Sequence, residues 1–222
     1  MKRYVSVSPS VVNRMPKYLS CIQEARAAGI EKISSTQIAR MLGFTASQVR
    51  QDFSTFGSYG AQGYGYNASL LEREIKKILG LHERHNVVMI GIGSIGHALL
   101  EHMNFESYNY RVCAGFDVDP FLVGTSVNGV EIRSYEELPQ YLRENNIDIC
   151  ILSVSGPAAK KVANILYELG VRAIWNFTNE NLGLDDTDII VQNVNFWESL
   201  FALTYYLEES YSQSSMKKCV NN

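Results

Sequence analysis

The stretch Asn86-Val87-Val88-Met89-Ile90-Gly91-Ile92-Gly93-Ser94-Ile95-Gly96 decides the fold. Its apolar run is too short and too β-branched for a helix, and reads as a buried parallel strand. The glycines that end it have the spacing G-x-G-x-x-G. The first permits a tight turn. The second lets backbone approach a pyrophosphate, and the third lets the next helix pack on the strand. The N-terminal amides of that helix then face the phosphates. Gly91, Ile92, Gly93, Ser94, Ile95 and Gly96 are therefore candidate cofactor-binding residues. By itself the hexapeptide also fits a glycine-rich structural turn, so its surroundings must decide.

A second apolar run, residues 111–116, ends at Asp117, 26 residues after Gly91. An acid roughly 20 residues on accepts from the adenosine ribose hydroxyls in dinucleotide folds. It also repels a 2′-phosphate, which favours NAD(H) over NADP(H). The plainer reading of Asp117 is a turn residue at a strand end. Further strands are expected at 147–154, 171–177 and 189–194, and a small hairpin at 127–132. The alternation β-α-β-(hairpin)-α-β-α-β-β, with no helix between the last two strands, predicts an α/β fold with a parallel, doubly wound sheet and its ligand at the carboxyl ends of the strands. On that rule Ser153, Ser155, Asn176 and Thr178 lie near the ligand, with Val118 and Val154 beside them.

Length and composition are ordinary for a globular protein: 222 residues, 46% hydrophobic and 19% charged. One large or two small domains fit. No run of about 18 apolar residues suggests a membrane span. The first residues lack the apolar core of a signal peptide, and a cytoplasmic location is expected. Cys21, Cys113, Cys150 and Cys219 have no paired spacing, which favours thiols over disulfides or zinc. Charge is uneven. Residues 1–80 carry a net +6 and residues 81–222 a net −9. A basic N-terminal part suggests a polyanionic partner, with chance variation over 80 residues as the plainer account.

That basic part reads as helices. Ser8-Pro9-Ser10 could open a helix, but the main helix is expected from Pro16, in its first turn, to Ala28-Gly29. Ser34 to Gln37 and Thr45 to Gln48 each have capping-box spacing. Two short helices around the Leu42-Gly43-Phe44 turn form a helix-turn-helix, or merely a helical hairpin. In the first reading Thr45, Ser47, Gln48, Arg50 and Gln51 open the helix that enters the major groove, with Ser54 beyond them. Glycines alternate with aromatics from Phe56 to Tyr66. That pattern suits a β-hairpin wing carrying Tyr59, Gln62 and Tyr64. Asn67 then caps a helix ending at Gly80. The expected division is a winged-helix DNA-binding domain (1–80), a Rossmann NAD(H)-binding domain (81–194), a C-terminal helix (195–212) and a tail (213–222), frayed from Met216 to Asn222. The C-terminal helix has a broad apolar surface, which favours exchange onto a partner subunit over docking on its own domain.

In this order the elements resemble the Rex family of redox-sensing bacterial transcriptional repressors. The residues that carry the resemblance are Arg14-Met15-Pro16-Lys17-Tyr18, Val49-Arg50-Gln51-Asp52-Phe53-Ser54, Phe56-Gly57, Gly60, Gly63-Tyr64-Gly65-Tyr66, the loop from Gly91 to Gly96, Gly115-Phe116-Asp117-Val118-Asp119-Pro120 and Asn193-Val194-Asn195-Phe196. The resemblance implies a homodimer with a domain-swapped C-terminal helix. It also implies an inverted-repeat operator held when the NADH/NAD⁺ ratio is low, and Phe196 near the partner's nicotinamide. Three departures bear on switching. Ser20, His102 and Asn195 stand where the family often has an arginine, a tyrosine and an aspartate. Gln51 and Gln62 replace basic residues, which removes two cations from the DNA side. A divergent paralogue, insensitive to redox state or coupled through His102, is the variant this implies. An NAD-dependent oxidoreductase, a sensor of another nucleotide such as coenzyme A, and a DNA-binding structural protein remain as alternatives. The first of these lacks a Tyr-x-x-x-Lys pair and a second catalytic domain.

Overall fold

The computed structural model describes residues 7–57 and 65–220, with side chains to Tyr211. It divides into two compact units, one up to Glu83 and one from Arg84 onward. The division falls beyond Gly80 because Leu79 and Leu81 pack against the first unit's core.

In the first unit, α1 spans Pro9–Ala27. It starts at Pro9 rather than Pro16, and Pro16 lies inside it. An internal proline removes one helical hydrogen bond. The buried stripe Met15, Tyr18, Leu19, Ile22 and Ala25 runs straight past it and holds the helix together by packing. A strand β1 (Lys32–Ile33) precedes α2 (Ser35–Leu42). Ser34 and Gln37 form the full reciprocal capping box, and Gly43 closes α2 at φ 71°. α3 spans Ala46–Phe56, with the Thr45 hydroxyl accepting from the Gln48 N–H at 3.1 Å. Of the second expected box, this half is the part seen among the described residues. β2 (Tyr66–Asn67) pairs antiparallel with β1, placing Tyr66 opposite Ile33. The rest of the expected wing, with Tyr59, Gln62 and Tyr64, lies outside the described residues. Asn67 caps α4 (Ala68–Ile78) through Leu70 N–H.

The second unit is built on a seven-stranded sheet. Its strands are β3 (His85–Ile90), β4 (Tyr110–Asp117), β5 (Ser126–Val127), β6 (Val130–Ser134), β7 (Ile149–Leu152), β8 (Ala173–Asn176) and β9 (Ile190–Asn193). Their order is β5-β6-β4-β3-β7-β8-β9, and every pairing but β5–β6 is parallel. The expected hairpin is β5–β6, but β6 also joins the main sheet beside β4. The chain runs outward from β3 in one direction and then crosses to β7, so the topological switch lies between β3 and β7. α5 (Ser94–His102), α6 (Leu138–Glu144) and α7 (Gly156–Glu168) connect the strands. Buried Val88, Ile90, Phe116, Leu152 and Ile174 pack with α7's Ala159, Val162 and Leu166 in one core.

The β8–β9 crossover has no helix. Parallel strands need a connection of about a dozen residues, and residues 177–189 provide it as a loop. Buried Asn176 organises that loop. Its Nδ2 donates to the Glu180 carbonyl (3.0 Å) and to Asn193 Oδ1 (2.8 Å). Its Oδ1 accepts from the Thr178 N–H (3.0 Å) and hydroxyl (2.7 Å).

α8 spans Phe196–Val220 and continues through the stretch expected to fray. No proline or glycine interrupts residues 196–220, so nothing in that sequence stops the helix. Asn195 precedes it, and Oδ1 accepts from the Trp197 N–H at 3.0 Å. No helix among the described residues is long and apolar enough to cross a membrane.

Candidate nucleotide site and DNA-reading surface

At the carboxyl ends of β3, β4 and β7 lies a cavity of about 370 Å³. It brings together Gly91, Gly93, Asp117, Val118, Ser153, Val154 and Ser155. The three glycines have distinct surroundings. Gly91 has φ 88°, and a Cβ there would lie 2.8 Å from the backbone of Ser153 and Val154. Gly96, in the first turn of α5, lies against the Gly91 carbonyl, which a Cβ would strike. A Cβ on Gly93 would meet nothing within 4 Å. The first and third glycines are thus required by the protein's own packing, whereas the second leaves room for a ligand. Gly93 is also the N-cap of α5 and has no side chain to cap it. First-turn amides without a cap suit an anion.

Asp117 shapes the loop as well as facing the cavity. Its Oδ2 accepts from the Ile92 N–H at 2.5 Å, and its Oδ1 from the Asp119 N–H at 2.9 Å. Both oxygens keep lone pairs for ribose hydroxyls. The Ser153 hydroxyl donates to the Gly91 carbonyl at 2.8 Å and so ties β7 to the loop.

Other expected site residues stand apart from the cavity. Ile92 is a core side chain, packed where Gly115 leaves space. Ser94, Ile95 and Gly96 lie on the first turn of α5 and do not line the cavity. Asn176 is spent within the crossover loop and does not line it either. Phe196 is 54% exposed at the start of α8, with its ring 6.4 Å from that of Phe177.

Tyr135, Ala158, Lys161 and Val162 line the cavity and were not anticipated. Ala158, Lys161 and Val162 follow an i, i+3, i+4 spacing on α7, so helical periodicity carried that signal. Lys161 supplies a cation beside an otherwise largely apolar wall.

In the first unit, Ser47, Arg50, Gln51 and Ser54 are exposed, while Val49, Asp52 and Phe53 are buried. These sets fall on opposite sides of α3 at 100° per residue, so four of the expected DNA-reading residues form one stripe. Thr45 and Ser47 share a hydroxyl contact at 3.0 Å, and Gln48 is half-buried. The Arg50 guanidinium reaches Ser35 of α2 at 3.2 Å. The Ser54 hydroxyl donates to the Gln51 carbonyl at 2.7 Å and would have to leave it to donate to a phosphate.

The three switch candidates are all exposed. The Ser20 hydroxyl donates back to the Pro16 carbonyl (3.2 Å). His102 Nε2 lies 3.7 Å from Glu101. Besides its bond to Trp197, Asn195 donates to Glu198 at 3.2 Å.

A helix-turn-helix unit joined to a nucleotide-type α/β unit defines the class: a DNA-binding protein with a built-in small-molecule site. Family models agree in outline. Residues 6–54 match a DNA-binding protein N-terminus and residues 82–180 a CoA binding domain. The chain is 40% identical to the redox-sensing transcriptional repressor Rex of Caldicellulosiruptor saccharolyticus, over 92% of this chain and 93% of that one. It is also 40% identical to the Rex repressor of Clostridium botulinum, over 95% of this chain and all of the other. Among solved structures, RSP in complex with β-NADH matches with a TM-score of 0.88 and 34% identity, covering 96% of this chain and 99% of that one. RSP with β-NAD⁺ and operator DNA matches at 0.86 and 36%, covering 96% and 98%. The chain belongs to the Rex family of redox-sensing transcriptional repressors.

Proposed function

We propose that this protein represses transcription as a homodimer. It holds an inverted-repeat operator with α3 and the wing, and binds NAD(H) in the cavity below Gly93. The observation that carries the reading is that cavity: an open second glycine, an uncapped helix start and Asp117, in a chain whose other unit presents a helix-turn-helix. These residues fit a dinucleotide. Gly93 gives space for the pyrophosphate, α5 offers amides to it, and Asp117 accepts from the adenosine ribose. The nucleotide acts as effector and not as hydride donor to a second substrate, and the protein works in the cytoplasm.

The surface of α8 supports dimer formation. Phe196, Trp197, Leu200, Phe201, Leu203 and Tyr206 are all about half exposed or more within one chain. So large an apolar surface marks an interface. Val87, Phe105, Tyr110, Ile151 and Trp175 line an apolar cavity of about 360 Å³ on the sheet of the same unit, a second surface that a partner would cover.

The test is duplex binding with and without NADH and NAD⁺, with calorimetry for both and for coenzyme A. Operator binding that weakens as the NADH/NAD⁺ ratio rises supports the proposal. Coenzyme A binding in place of NAD(H) would replace the effector. A second reading has its own observation: Ser20, His102 and Asn195 provide no arginine–aspartate pair to trade partners. In that reading NAD(H) binds while DNA affinity stays constant.

A further inference from the structure

Asp52 is the buried acid of α3, only 3% exposed. Arg14 of α1 grips it with two hydrogen bonds, Nε to Oδ2 at 2.6 Å and Nη2 to Oδ1 at 2.8 Å. The Tyr18 hydroxyl donates to Oδ2 at 2.6 Å. The Tyr18 ring meets Phe53 edge-on at 5.0 Å and Phe44 at 5.8 Å, so the network stands inside an aromatic wall. Asp52 follows exposed Gln51 directly and lies two residues from Arg50.

We propose that Asp52 is a specificity-positioning residue. Held by Arg14 and Tyr18, it fixes the rotation of α3 about its own axis, and so the direction in which Ser47, Arg50, Gln51 and Ser54 point. The inference rests on the reading of α3 as the DNA-contacting helix. Val49 and Phe53 give α3 its adhesion, but apolar contact is non-directional and lets a helix roll. A bidentate arginine–carboxylate pair has one geometry. Magnitudes separate the consequences. A roll of about 20° on a helix of about 5–6 Å radius moves a side-chain tip by about 2 Å. That breaks a hydrogen bond to a base edge. It leaves a charge near a phosphate with much of its attraction, which falls only as the inverse of distance. Loss of the network therefore removes operator preference before it removes DNA affinity.

A purely structural network makes a different forecast. Buried ion pairs can often be exchanged for apolar groups of similar volume without loss of stability. The test is the full chain carrying Arg14→Met, Tyr18→Phe and Asp52→Leu together. Its affinity is measured for a duplex that the wild type selects from a randomised library, and for a scrambled duplex of equal length. NADH titration and thermal melting report folding. The expected result is a preference reduced by roughly tenfold or more, with scrambled-duplex affinity, melting and NADH binding near those of the wild type. A folded triple variant that keeps its preference overturns the proposal. Where the triple variant does not fold, Arg14→Lys is read instead, since it keeps the charge and loses the fork. Reduced preference in that folded variant supports the proposal, and full preference overturns it. A wild-type chain that prefers no duplex fails the DNA reading itself, which the comparison of variants then makes plain.

Discussion

Asp52 and Asp117 are two carboxylates held in opposite ways. Asp52 is gripped by side chains, Arg14 and Tyr18, and joins one helix to another. Asp117 is gripped by backbone, the N–H groups of Ile92 and Asp119, and joins a strand end to a loop. Glu72 repeats the first pattern, bound by Arg26 of α1 and by Lys76. The N-terminal unit thus depends on charged side chains to orient its helices. The second unit depends on backbone geometry to shape a pocket and on an apolar sheet for its adhesion. The first arrangement fails when one partner is removed, and the second fails when a glycine gains an atom.

The strongest break is Asp52→Ala. It leaves a part-buried Arg14 without its partner, at a cost of about 3–5 kcal/mol. Calorimetry is expected to show the N-terminal unit melting earlier while NADH titration of the other unit is unchanged. Next is Gly91→Ala. At φ 88°, with Ser153 backbone 2.8 Å from the new Cβ, it is expected to cost about 1–3 kcal/mol and to weaken NADH binding. Gly93→Ala sharpens the contrast. Its Cβ meets open space, so stability is expected to stay within about 0.5 kcal/mol. NADH affinity is expected to fall about tenfold, about 1.4 kcal/mol; equal stability and equal affinity would remove the second glycine from the site.

Acid supplies the fourth contrast. Burial pushes the Asp52 carboxyl up, but the hydrogen bonds from Arg14 and Tyr18 outweigh it and hold the group below the usual carboxylate range. Burial likewise opposes, and Lys76, Arg26 and Gln23 outweigh it, at Glu72. A carboxylate depressed on folding contributes fully above its unfolded value and loses that contribution as pH falls through its folded value. The N-terminal unit is expected to lose stability as pH falls below about 4, measured as its melting temperature against pH. An Asp52→Asn chain that keeps the same acid slope would assign that slope elsewhere. The smallest effect is Thr45→Ala, which removes the α3 cap at about 1 kcal/mol and is read from the same melting curve.

Much of this was legible in the residues. The glycine spacing after residues 86–90 specified a strand, a turn and a helix, because a Cβ at Gly91 or Gly96 has nowhere to go. The Ser34–Gln37 box and Gly43 marked α2 at both ends through hydrogen bonds local to the chain. Asp117 was legible as the acid at the end of the second strand. Of the two openings offered for α1, Ser8-Pro9-Ser10 is the one used and Pro16 lies inside the helix, because proline punctuates only when packing does not override it. The tail expected to fray continues as helix for lack of any stop signal. Asn176 stood at the right strand end for a ligand residue, yet Thr178, Glu180 and Asn193 absorb its amide. Contacts across a loop leave no mark in a linear pattern.

The sequence by itself determined the two-part order, the glycine loop and the helix caps, since each depends on neighbours a few residues apart. Only the tertiary structure decided which candidates share a cavity, that Lys161 and Tyr135 join Asp117 there, and that Asp52 turns inward to Arg14, 38 residues away. Those outcomes depend on which distant groups the fold brings within hydrogen-bonding reach, and a pattern of spacing does not contain that distance.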